Sequence, residues 1–226
     1  MKKNGKNLLW TGLAIIVVLS GGFLLWNASQ NTTTKTTPDP KLLTNSSSHT
    51  TTQGTRIYPV TLVEFGDYQC PACGVAEIYV EKILAEDAKV KLVFRNFPLT
   101  SIHKNALLAA EAAEAAGDQN KFWEMHNAIY VNQALWSDSD QALDIFVNIA
   151  QKLNLDVAKF TADVKANKFA DIIKKDQADG EALGVNHTPT FYINGKEYTG
   201  PNSFDALKAA VDLAATPLPL GAEKTT

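Results

Sequence analysis

The chain is poor in cysteine and histidine. It has two cysteines, Cys70 and Cys73, and four scattered histidines, His49, His103, His126 and His187. Zinc asks for four nitrogen or sulfur ligands. No second CxxC and no HxxxH accompanies the cysteine pair, so a zinc site is not expected. A disulfide across so short a loop removes little entropy from the unfolded chain, so a purely structural bond explains little. Positive charge is also short. Residues 56–226 carry 16 basic and 23 acidic side chains, which disfavours a nucleic-acid partner. No cysteine lies in or just after the apolar run near the N-terminus, which excludes a bacterial lipoprotein. No internal repeat is visible.

The start of the chain reads as a membrane signal. Lys2, Lys3 and Lys6 form a basic stretch over residues 1–7, and an uncharged, mostly apolar run follows from Leu8 to Trp26. Crossing a bilayer takes about 20 such residues, whereas the core of a cleaved signal peptide has roughly 7–15 and ends at small residues. The bulky Leu24-Leu25-Trp26 spoils cleavage after Ala28, so residues 8–26 are expected to be an uncleaved transmembrane anchor. The alternative is a cleaved signal and a secreted product. With the lysines on one side only, the N-terminus is expected in the cytoplasm and the remainder outside. Residues 27–55 are rich in Thr, Ser and Asn, with Leu42 and Leu43 the exceptions, and are expected to form a disordered tether. Residues 56–216 are then one domain, large enough to bury a core. Residues 217–226 read as a flexible tail.

Within the domain, Val60–Phe65 reads as a buried strand, and the segment from Gly74 to Glu86 as a helix burying Val75, Ile78, Tyr79, Ile83 and Leu84. Val90, Leu92 and Phe94 alternate along a second strand, and a strand–helix–strand unit implies parallel pairing. A helical block spans about 103–184. Its segments are an alanine-rich helix from His103 to Ala116, a helix capped by Asp118, one begun by Asp140, one begun by Asp156, and Phe169–Leu183. Leu135 and Trp136 are placed in a connection. The period then changes. Thr190–Ile193 and Lys196–Thr199 flank Asn194-Gly195, a hairpin signal, and Ser203 is placed to cap a last helix carrying Phe204, Leu207, Val211 and Leu213.

A strand that delivers Cys70-Pro71-Ala72-Cys73 to a helix N-terminus is a setting for thiol chemistry. The free N–H groups and the positive end of the helix dipole stabilise a thiolate, the reactive form. Cys70, at the helix end, is expected to be the nucleophile, and Cys73, turned into the helix, the resolving thiol. Pro71 suits the first turn, where its missing N–H costs nothing.

Three segments, in order, carry a resemblance. They are Glu64-Phe65-Gly66-Asp67-Tyr68-Gln69-Cys70-Pro71-Ala72-Cys73, then Phe94-Arg95-Asn96-Phe97-Pro98-Leu99 with His103 and Ala106, and then Gly184-Val185-Asn186-His187-Thr188-Pro189-Thr190-Phe191-Tyr192-Ile193-Asn194-Gly195. Together they resemble the DsbA-like family of extracytoplasmic thiol–disulfide oxidoreductases. Its α/β architecture is a thioredoxin fold with a helical insertion. The membrane-anchored bacterial members are similar in having an N-terminal span. The middle pair here is Pro-Ala, where the most oxidising members carry Pro-His.

The resemblance implies catalysis by Cys70 and Cys73, with Glu64 as a buried acid beneath them that passes protons to and from Cys73. It implies a cis peptide before Pro189, with Thr188, Pro189, Pro71 and Ala72 facing the substrate. Tyr68 and Gln69 flank the site, His187 stands next to Thr188, and His103 and His126 are expected to cap and pack. It implies no cofactor and no metal. The implied partners are exported proteins bearing thiols or disulfides and a quinone-linked membrane protein that reoxidises the pair. Isomerases of this fold carry a dimerisation domain, whereas here a tether takes that place, so a monomeric oxidase is expected. A reductase or isomerase, or a non-catalytic binding module, are the alternatives.

Overall fold

The computed structural model describes residues 39–44, 49–50, 59–87 and 89–216. The candidate span Leu8–Trp26, its basic flank and the tail 217–226 lie outside them. No helix among the described residues is long and apolar enough to cross a membrane.

Five strands form one sheet, in the spatial order β1 (His49–Thr50), β3 (Val90–Asn96), β2 (Val60–Gly66), β4 (Thr190–Ile193) and β5 (Lys196–Tyr198). The central pair is β2 (Val60–Gly66) and β3 (Val90–Asn96), which run parallel from Val60 opposite Val90 to Gly66 opposite Asn96. Helix α2 (Pro71–Glu86) makes the crossover between them. β4 (Thr190–Ile193) lies antiparallel on the other side of β2, and β5 (Lys196–Tyr198) antiparallel to β4. Asn194 and Gly195 take φ of 47° and 83°, the left-handed pair that a two-residue hairpin requires. This is the expected thioredoxin-like βαβ…ββα arrangement.

The alternation expected of β3 is absent from its burial. Val93 and Arg95 are buried along with Val90, Leu92 and Phe94, because the sheet is covered on both faces, as parallel strands usually are. On one face α2 and α9 (Phe204–Ala215) pack Ala76, Val80, Ile83, Leu207 and Val211 on Val60, Leu62 and Leu92. On the other, Val63, Phe65, Val93, Phe97 and Tyr192 are capped by Leu43 and Val185. Helix α8 (Ala170–Ala182) crosses there, and a Cβ on Gly180 would come within 2.9 Å of the Phe97 ring. Arg95 is sealed beneath it. Its Nε donates to Asp176 Oδ1 at 2.7 Å, Nη2 to Asp179 Oδ2 at 2.6 Å, and Nη1 to the Leu42 carbonyl at 2.7 Å.

The helical insertion comprises α3 (Ala106–Gly117), α4 (Phe122–Val131), α5 (Gln133–Trp136), α6 (Ala142–Lys152), α7 (Val157–Lys165) and α8. The alanines of α3 allow close packing around Phe122, Met125, Trp136, Phe146 and Phe160, a second core that reaches Tyr68, Cys70 and Cys73.

Several local expectations need correction. Two pieces of the 27–55 segment belong to the fold. Helix α1 (Pro40–Leu43) buries Leu43, and β1 (His49–Thr50) pairs with Val93 and Phe94. Thr- and Ser-rich composition hid them because their anchors are distant in sequence. The Leu42 carbonyl accepts from Arg95, and His49 meets Glu114 Oε2 at 2.8 Å and stacks on Phe122. Neither Asp118 nor Asp140 caps the start of a helix. They pair instead with Lys159 and Lys104, whereas Asp156 does cap α7 by accepting from Lys159 N at 2.9 Å. Trp136 ends a short helix rather than a loop and is fully buried. Val75 and Ile78 are 45% and 68% exposed, and Leu213 is 77% exposed. The buried stripe of α2 is Cys73, Ala76, Glu77, Val80 and Ile83.

Candidate active site

β2 ends at Gly66, and the turn Asp67–Gln69 carries the chain to α2. The Cys70 N–H closes that turn on the Asp67 carbonyl at 3.0 Å. Asp67 stiffens the turn from below. Its carboxylate accepts from Gln69 N and Leu99 N and lies 2.7 Å from His103 Nδ1. Cys70 is the N-cap residue of α2, and Pro71 opens the helix. The N–H groups of Cys73 and Gly74 both point at the Cys70 carbonyl, at 3.1 Å.

The cysteines are free thiols with opposite environments. The Cys70 thiol is pulled down to about 5, chiefly by a hydrogen bond from the Cys73 thiol. Burial works against this. The Thr188 hydroxyl and the backbone N–H groups of Cys73 and Ala72 add to the lowering. Thr188 Oγ1 is buried and has no conventional hydrogen-bond partner, yet it lies near enough to Cys70 to favour its thiolate. When protonated, Cys70 Sγ donates to the Thr188 carbonyl at 3.4 Å. Cys73 is fully buried, and desolvation first, then the bond it gives Cys70 and the charge of Glu64, push its thiol well up. A low first thiol and a high second one are the electrostatic signature of a nucleophile and a proton-holding partner.

The Thr188–Pro189 bond is cis. Beside it a cleft of about 430 Å³ is lined by Ala72, His187, Thr188, Pro189, Phe191 and Tyr198, among others. Ala72, which lines the cleft, and Pro71 before it are exposed. His187 is exposed and bonds Asn186 Oδ1 at 3.0 Å, not Cys70.

Glu64 lies in β2 with 1% of its surface exposed, and neither carboxylate oxygen has a hydrogen-bond partner. Burial, then the charges of Glu77 and Cys70, raise it well above an ordinary carboxylate. The alternative of a sheet-end carboxylate in water therefore does not describe it. Tyr68 and Gln69, which precede Cys70, are buried. The Gln69 amide donates to the Ser137 carbonyl and accepts from Asn105 N. His103 and His126 both take structural partners.

Residues that the sequence did not single out complete the site. Gln133, from α5, donates to the carbonyls of Tyr68 at 2.7 Å and Cys70 at 2.9 Å, clamping the CxxC turn. Gly74 makes room for it, since a Cβ there would stand 2.7 Å from Gln133 Oε1. Glu77 is buried on α2, with Oε2 3.2 Å from His126 Nε2, and His126 Nδ1 is 2.9 Å from the Tyr68 hydroxyl. The spacing of Cys73 and Glu77, one helical turn, was the available signal.

Residues 46–213 match the family described as thioredoxin. The chain is 36% identical over 162 residues to the probable disulfide bond formation protein D of Bacillus anthracis, covering 68% of this chain and 73% of that one. It is 40% identical over 162 residues to the Na(+)/H(+) antiporter NhaA 1 of Salinispora arenicola, covering 72% of this chain. The chain spans about a quarter of the length of that antiporter, 24%. A thioredoxin-like oxidoreductase from Silicibacter pomeroyi DSS-3 superposes with a TM-score of 0.64 at 29% identity, covering 78% of this chain and 97% of that one. With the cysteine pair at a helix N-terminus and a cis-proline beside it, these matches show that the chain belongs to the DsbA-like thiol–disulfide oxidoreductases of the thioredoxin fold.

Proposed function

We propose that this chain is an oxidase that introduces disulfides into exported proteins. The observation that carries the reading is the placement of the pair, Cys70 at the N-terminus of α2 and Cys73 buried behind it, which pulls the Cys70 thiol down to about 5 in the dithiol form. A stabilised reduced form makes a dithiol pair a strong oxidant. In the forward reaction a substrate thiolate attacks Cys70 Sγ, and the Cys70–Cys73 bond breaks. Cys73 leaves and takes a proton, supplied by Glu64. A second substrate thiolate then attacks the substrate sulfur of the mixed disulfide, and Cys70 leaves as the stabilised thiolate. Two electrons pass from the substrate to the pair, and one substrate disulfide forms. The open face of Ala72, Thr188 and Pro189 is where an extended substrate would lie.

Leu8–Trp26 would hold the domain on the outer side of the membrane, within reach of a quinone-linked partner that restores the disulfide. The tether would then raise the effective concentration of the pair at that partner. The potential of the pair against glutathione tests the oxidase reading. A value as low as that of thioredoxin, about −270 mV, would replace it with a reductase. Cys73→Ala should trap mixed disulfides with exported proteins while Cys70→Ala traps none. A trap formed at Cys73 would reverse the assignment. Membrane fractionation with N-terminal sequencing decides the anchor, and a soluble product beginning after Trp26 would refute it.

A further inference from the structure

Cys73 is fully buried, and so is Glu64 beside it. A proton that leaves Glu64 for Cys73 must be replaced from water, and neither of these two residues reaches it. The three-residue gaps in Cys73-x-x-x-Glu77-x-x-x-Glu81 place those side chains on one stripe of α2, two turns long. The stripe starts at the reactive pair and ends at an exposed carboxylate.

We propose that Glu77 and Glu81 form a carboxylate ladder that carries protons between solvent and Glu64, and so to and from Cys73. The proposal rests on the proton-relay reading of Glu64.

Four observations support it. Glu77 is buried, and its Oε1 has no hydrogen-bond partner, as is true of both Glu64 oxygens and the Tyr130 hydroxyl. Unpartnered buried oxygens are costly to keep for structure alone. Glu77 and Glu81 are one helical turn apart on α2, and the charge of Glu77 is felt at both Glu64 and Glu81. Its other oxygen is fixed by His126, which is itself fixed by Tyr68. The tautomer that satisfies both bonds has Nε2–H donating to Glu77 and Nδ1 accepting from Tyr68, so His126 is a positioning residue for the rung. Finally, Glu81 lies within reach of the Asn127 amide and feels His126, both from α4, so the outer end of the ladder is also oriented.

The groups facing Glu77 come from three elements and the turn before α2. Glu64 belongs to β2, Tyr68 to the turn, and Glu81 to α2. His126 and Tyr130 belong to α4. Only His126 among them can become positive.

The step balances without an added reagent. When the disulfide opens, the Cys73 thiolate takes the Glu64 proton. A proton taken from water at Glu81 then passes to Glu77 and on to Glu64, and both carriers end as the carboxylates they began as. Pair oxidation runs the same transfers backwards.

The test follows the reduction of the oxidised protein by dithiothreitol, by stopped-flow tryptophan fluorescence in dilute buffer. Glu77→Gln keeps the size and a partner for His126. It should react about tenfold more slowly, less than the 10²–10⁴ of a positioned acid or base because water substitutes in part. Glu81→Gln, at the exposed end, should slow the reaction less, and added formate should restore it. A merely structural role would not respond to formate. Glu77→Gln at the wild-type rate overturns the ladder, and so does a Glu81→Gln that is unslowed or is slowed without restoration by formate. Glu64→Gln run beside them separates the two readings. If it is slow while Glu77→Gln is not, the ladder fails and the relay stands. If Glu64→Gln reacts at the wild-type rate, the relay fails and the ladder with it.

Discussion

Replacing Cys73 tests how the Cys70 thiolate is held. The largest influence on Cys70 is the hydrogen bond from the Cys73 thiol, ahead of the Thr188 hydroxyl and the N–H groups of the first helical turn. A hydrogen bond to a charged group contributes about 1.5–3 kcal/mol, and a thiol is a weak donor, so the low end applies. At about 1.36 kcal/mol per pKa unit, Cys73→Ala should raise Cys70 by about one unit from its value of about 5. It should not reach the ordinary 9.0, because the helix N–H groups remain. Cys73→Ser offers a stronger donor at the same place and should leave Cys70 at or below the wild-type value. The assay is thiolate absorbance at 240 nm against pH for the reduced proteins. Superimposable curves for wild type and Cys73→Ala would refute the neighbouring-thiol argument. An alanine variant titrating at the ordinary value would instead show that the helix terminus contributes nothing.

Three further outcomes follow from the same environments. Cys70 is depressed in the folded dithiol form from an ordinary 9.0 to about 5, so the stability it contributes is complete above pH 9 and is lost as pH falls through about 5. The melting temperature of the reduced protein should exceed that of the oxidised protein near neutrality, and the gap should close towards pH 5. A gap that is constant with pH would contradict this. Glu64 has the opposite sign. Its folded value is raised, so it destabilises the fold increasingly as pH climbs past the ordinary 4.5. Glu64→Gln should match wild type in acid and melt higher at neutral pH, and a lower melting temperature at neutral pH would mark Glu64 as structural. Arg95→Met strands the buried carboxylate of Asp176 and should cost about 3–5 kcal/mol in denaturant unfolding, with part recovered by adding Asp176→Asn. An unchanged midpoint would show the cluster to be indifferent.

How much of this was legible in the sequence depends on whether a residue's job is local. The hairpin at Asn194-Gly195 was, because both residues carry the positive φ that the turn demands. The Asp156 cap was legible for the same reason, since its carboxylate meets an N–H three residues on. Asp118 and Asp140 looked alike in sequence, but their partners, Lys159 and Lys104, are 41 and 36 residues away. His49 and Leu42 were read as tether because their partners, Glu114 and Arg95, lie 65 and 53 residues on. No short-range pattern marks such a pairing.

The site divides along the same line. Cys70, Cys73 and Glu64 stood out because each is an anomaly where it sits, the only thiols and an acid in an apolar strand. The Thr188–Pro189 bond was reached through the family resemblance alone, since a proline at a strand start is ordinary. Gln133 stood out by nothing, since a glutamine on a short helix is ordinary until the Cys70 and Tyr68 carbonyls are found against it. The misread face of α2 is the more instructive failure. Apolar spacing favoured Val75 and Ile78, while the buried stripe includes Cys73 and Glu77. An apolar pattern assumes that the inward face is apolar. Next to a reactive thiol that assumption fails, because proton transfer needs ionisable groups where a core would otherwise exclude them. A helix leaving a CxxC therefore has its inward face set by the second cysteine, and i+4 from that cysteine is the position to inspect.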